Sequence, residues 1–123
     1  MTIQQLYEKI GGNYEQAVRV MKKDKLIDKY IRKLGSSDVG EKLAQAGEAM
    51  DAEKLFESAH AMKGVCANLG LDALASAADE ITEEFRPGNP RKLSDAVVRE
   101  KVEAVLTRFR NTLQGIEAYE EGN

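Results

Sequence analysis

The chain has 123 residues, a net charge of −3 and one cysteine, and Leu, Ile, Val and Phe fill 28 positions. That is enough for one packed domain, just above the roughly 20 % apolar level below which charged chains stay disordered. The mild acidity argues against nucleic acid or an anionic membrane as partner, and one cysteine excludes a disulfide framework or a cysteine zinc cage. No apolar run of about 18 residues and no export signal occurs, and 15 alanines against two prolines favour helix, so the expectation is a cytoplasmic, all-α, monomeric domain.

Ile3, Leu6 and Ile10 recur at helical spacing until Gly11-Gly12, and Asn13 with Gln16 resembles a capping box for the next helix. The stripe Tyr14, Ala17, Val18, Met21 continues as Leu26, Ile27, Tyr30, Ile31, Leu34 and fits either one helix over 14–34 or two with a break near Asp24. Gly35-Ser36-Ser37 ends it and offers a serine N-cap to a helix marked by Val39, Leu43, Ala46 and Met50 and weakened by Gly40 and Gly47. Asp51 caps a helix over 52–69 that stops at Gly70, and Leu71, Leu74, Ala78, Ile81 and Phe85 mark the next. Pro87-Gly88-Asn89-Pro90 is a loop, Ser94 caps the last helix, and Val98, Val102, Val105, Phe109, Leu113 and Ile116 form its inner stripe. The short connections predict an antiparallel up-down-up-down four-helix bundle over 37–119, with short leading helices over 1–36 and a frayed tail over 120–123, all in one domain.

The helix over 52–69 carries the only histidine, His60. At about 100° per residue, Leu55, Ala59, Met62, Val65, Cys66 and Leu69 lie within roughly 60° of the pole opposite His60 and form the core face. Lys63, Gly64, Ala67 and Phe56 lie within about 60° of His60 on the outer face. Each has an ordinary explanation alone: a solvated lysine, a glycine for close helix packing, a boundary phenylalanine. Together they place an imidazole, a cation one turn away and a cleared shoulder on one stripe, which suits docking and group transfer. Cys66, about 120° away on the wheel, reads as a buried small apolar residue, and Glu83-Glu84 as solvated acids. No GxxxxGK[ST] or GxGxxG motif supports nucleotide binding, and one His without Glu-x-x-His gives little support to a metal- or haem-binding bundle. A binding module that uses Phe56, Gly64 and Ala67, with His60 incidental, is the alternative.

The run His60-Ala61-Met62-Lys63-Gly64-Val65-Cys66-Ala67-Asn68-Leu69-Gly70, preceded by Ala59, resembles the signature of the histidine-containing phosphotransfer (HPt) domains of bacterial multistep phosphorelays. The likeness extends to the leading Leu6…Gly11-Gly12 segment and the turn at Met50-Asp51; Val65, Cys66 and the longer 87–90 loop depart from it. The resemblance implies a phosphocarrier without an ATP site or autokinase activity. His60 would take a phosphoryl group from a receiver-domain aspartyl phosphate and pass it to another receiver, and Lys63 would offset its charge of about −1.5 to −2. Phe56, Gly64 and Ala67 would dock the partner, and Glu57, the acid nearest on the wheel at about 60°, would orient the ring. The implied partners are receivers of hybrid histidine kinases and response regulators. No cofactor is expected on this chain, since the magnesium would belong to the receiver. The initial Met and lack of linkers give a free-standing carrier as the expectation.

Overall fold

Thr2 opens the chain with a full capping box: its side chain accepts from the Gln5 N–H while the Gln5 side chain accepts from the Thr2 N–H. In the computed structural model, which describes residues 1–122, the helices after this cap are α1 (Ile3–Ile10), α2 (Tyr14–Met21), α3 (Asp24–Gly35), α4 (Val39–Ala49), α5 (Ala52–Asn68), α6 (Asp72–Phe85) and α7 (Asp95–Gly122). The described residues contain no strand. The 14–34 stripe is therefore two helices. Lys22 takes the left-handed conformation, φ 73°, and closes α2, and the Tyr14 hydroxyl donates to Asp24 across the break.

Several local signals act as their residue types dictate. The Asp51 carboxylate accepts from the Lys54 N–H and starts α5, and Ser94 Oγ accepts from the Val97 N–H and starts α7. At the far end of α5, Gly70 takes φ +69°, and the Gly70 and Leu71 N–H groups donate back to Ala67 and Cys66 carbonyls. That pair of bonds is a Schellman stop, which glycine reaches without strain.

Other signals need correction. Ser37 does not cap α4; its hydroxyl donates back to the Leu34 carbonyl, and Asp38 precedes α4 without a side-chain cap. Only half of the Asn13 capping box forms, because the Asn13 N–H donates to Gly70 O at 2.7 Å and leaves nothing for Gln16 to satisfy. Residues 120–122 continue α7 instead of fraying, and Asn123 lies outside the described residues. Glu84 is buried, not solvated: it accepts from the Lys92 and Leu93 N–H groups and from Arg91, and so ties the 87–90 loop back to α6. Burial alone would raise its carboxyl, but those donors outweigh it and hold the group below the usual carboxylate range.

The core runs the length of the chain. Helix α4 packs on α5, α5 on α6, α6 on α7, and α7 returns to α4; α1 and α3 also lie on α7, and α2 on α3 and α5. Leu6, Ile31, Leu43, Met62, Ile81 and Ile116 come each from a different helix, and all lose nearly all their exposure. Removing that apolar surface from water is the main stabilising term. The leading helices do more than precede the rest. The buried Tyr7 hydroxyl donates to Leu69 O at 2.7 Å, and with the Asn13–Gly70 bond this clamps the C-terminal end of α5. Gly40 and Gly47, which weaken α4 locally, let Phe109 and Val102 of α7 approach to where a Cβ would sit at 2.9 and 3.1 Å.

Candidate functional site

Helix α5 is fixed at both ends by the Asp51 cap and the Gly70 stop, so the direction of every side chain on it follows from packing. Leu55, Ala59, Met62, Cys66 and Leu69 face inward, each 1 % exposed or less. His60 and Gly64 consequently face solvent, together with Ala61. Burial pushes the Cys66 thiol up to about 12, far from a reactive thiolate. We expect Cys66 to label slowly with a thiol reagent in native protein and at least ~100-fold faster in denaturant, read by absorbance of the released chromophore; fast native labelling would contradict this orientation of α5.

Val65 departs from the wheel. It is 41 % exposed, although it falls on the inner half of α5. The cause is tertiary: beside it Met21, Tyr30, Leu34, Val39 and Leu69 line an open groove of about 440 Å³ between the leading helices and α5. Tyr30 and Leu26, placed on the inner stripe of α3, are likewise exposed.

Around His60 the structure assembles more than the wheel shows. The Phe56 ring lies parallel to the imidazole, with centroids 5.5 Å apart and planes 7° from parallel. Phe56 is half-buried rather than exposed, and the Arg86 guanidinium, from the residue after α6, lies 5.4 Å from its centroid. Arg86 also grips both carboxylate oxygens of Glu83, a fork that holds Glu83 below the usual carboxylate range. Lys63 is not a free cation: its Nζ sits 2.9 Å from Asp79 Oδ1 on α6. Ala67 is half-buried against the core, and Glu57 is exposed with no hydrogen bond to the imidazole, whose ring contact is the Phe56 stack. Gly64 needs no close packing partner, since a Cβ built there meets nothing within 4 Å.

Sequence reasoning missed Asp79 and Arg86. Their signal exists only across the α5–α6 pair, where residues distant in the chain become neighbours. Among the described residues no three His, Cys, Asp or Glu side chains cluster as a metal site, and no helix is long and apolar enough to cross a membrane.

The arrangement presents one exposed imidazole, flattened against an aromatic ring, with a lysine one turn along and open space over the next turn. An exposed imidazole is of a residue type that can serve as a nucleophile. No curated protein and no solved structure matches the chain. Residues 35–118, which take in α4 to α6 and most of α7, match the family model described as the Hpt domain. The chain belongs to the Hpt domain family, whose members carry phosphoryl groups on histidine in phosphorelays.

Proposed function

We propose that this protein is a phosphocarrier that accepts a phosphoryl group on His60 from the aspartyl phosphate of one receiver domain and returns it to the aspartate of another. The observation that carries the reading is the exposed His60 ring, stacked on Phe56, beside the empty shoulder at Gly64. In the first transfer a ring-nitrogen lone pair forms the N–P bond as the acyl phosphate P–O bond breaks, and the aspartate leaves as a carboxylate with that electron pair. In the second a carboxylate oxygen of the next receiver forms the new P–O bond as the N–P bond breaks and its electron pair returns to the ring. The receiver contributes the acidic pocket and its magnesium, while this chain contributes the nucleophile, its orientation and Lys63. The chain makes no phosphate of its own from ATP. It acts as a monomer in the cytoplasm, with receivers of hybrid kinases and response regulators as partners. The ring of contacts among α4 to α7 and their short connections support an antiparallel up-down-up-down four-helix bundle as the scaffold.

Incubation with a phosphorylated receiver tests the reading. A carrier gains an acid-labile, alkali-stable phosphate, whereas an adaptor that used Phe56, Gly64 and Ala67 only for binding would gain none. Lys63→Ala should slow transfer a few-fold, because a partly exposed charge pair is worth roughly 0.2–1 kcal/mol. Melting by circular dichroism should fall by a few degrees, since Lys63→Ala leaves the buried Asp79 Oδ1 without its cation while the rest of both side chains stays in contact with solvent. An unchanged transfer rate would give Lys63 a purely structural role.

A further inference from the structure

The Lys63–Asp79 pair lies where the charge of the proposed reaction arrives, so any part it plays in transfer rests on His60 being the acceptor. Lys63 Nζ is 2.9 Å from Asp79 Oδ1, an oxygen that is itself buried and has no hydrogen-bond partner to replace that cation. Glu83, one turn along α6, is already held by both Nε and Nη2 of Arg86. Lys63 and Asp79 therefore answer each other. A lysine three residues after His60 is its neighbour on the helix surface, and helical side chains lean back toward the preceding turn. One cation thus faces two anions in turn: a carboxylate in the resting protein and a phosphoryl group on His60.

We propose that Asp79 is a positioning residue that competes with phospho-His60 for Lys63 and so keeps the phosphoryl group ready to leave. If Lys63 turns to the phosphoryl group, Asp79 Oδ1 is left buried without a donor, which is costly for a charged acceptor. If Lys63 stays, the phosphoryl group goes without that cation. Both outcomes raise the phosphorylated state above that of a protein lacking the carboxylate. Asp79 would then bias the carrier toward handing its cargo to the next aspartate.

Equilibration with a phosphorylated receiver measures the bias directly. In Asp79→Asn the ratio of phosphoryl on His60 to that on the receiver should rise about three- to fivefold, the scale of one partly exposed ion pair, with onward transfer slowed to match. In a Lys63→Ala background the same substitution should move the ratio by less than half as much, because no lysine is left to release. A staple that merely joined α5 to α6 would shift melting and leave the ratio alone. An unchanged ratio, or an equal shift in both backgrounds, overturns the proposal. A second readout needs no receiver: the carboxyl carbon resonance of Asp79 should move when phosphoramidate modifies His60, and a fixed resonance also overturns it. If neither donor places phosphate on His60, the phosphocarrier reading falls and this proposal with it. If phosphate enters His60 and Asp79→Asn does nothing, only the competition is wrong.

Discussion

His60→Gln should abolish uptake of phosphate from a receiver, by at least ~1,000-fold, while far-UV circular dichroism and melting stay close to those of the unaltered protein. The size of the loss follows from covalent chemistry: glutamine has no nucleophilic nitrogen, so there is no slower version of the same step. The small structural effect follows from position. His60 is exposed, glutamine is a better helix former, and the substitution removes a single stack on Phe56, worth about 0.5–1.5 kcal/mol at most for an aromatic pair. No other side chain on α5 replaces it, because Cys66 is buried with its thiol pushed up to about 12. Radiolabelled transfer followed by acid and alkali treatment reads the outcome. Retained, acid-labile label on His60→Gln would move the acceptor elsewhere and remove the basis for the site.

The parts of the molecule legible from sequence are those decided within about one turn of chain. The caps at Asp51 and Ser94 and the stop at Gly70 depend on a side chain or a left-handed φ acting on adjacent backbone, so their signals are local. The inner stripe of α6, Leu71 through Phe85, is legible for the same reason, since its period alone dictates the buried face. The inner half of α5 is legible except at Val65, and there the reason changes. Whether Val65 is covered depends on where α3 and α4 sit, and they leave a groove. The glycines show the limit most directly: Gly40 and Gly64 read alike in a helix pattern, yet one sits against Phe109 and the other in open space. Asp79 and Arg86 are illegible for a further reason. Nothing in its local sequence distinguishes Asp79 from the other acids of α6 or ties Arg86, just after that helix, to the site, and only the packing of α6 on α5 brings them to Lys63 and Phe56.

Gly64→Gln should lower receiver transfer about tenfold or more, equivalent to ~1.4 kcal/mol of barrier, without destabilising the fold. The stability half rests on glycine's cost in a helix, about 1 kcal/mol relative to alanine, together with the absence of any atom within 4 Å of a Cβ at this position. Gly64→Ala should accordingly melt at the same temperature or higher, and its transfer should suffer little because a methyl group is short. The transfer half rests on direction. A glutamine four residues after His60 leans back over the turn that bears the imidazole, where a receiver's aspartyl phosphate has to approach nearly in line. Modification by phosphoramidate requires no docked protein surface, so Gly64→Gln should retain most of that reaction, and the ratio of the two losses separates blocked docking from a damaged nucleophile. Equal losses with both donors would mean that the new side chain disturbs His60 itself, for instance by breaking its stack on Phe56. No loss with the receiver would mean that the partner approaches from another side. In that case the open shoulder at Gly64 would have no part in recognition, and the docking face would have to be sought along the Val65 side of α5, where the groove beside Tyr30 already exposes apolar surface.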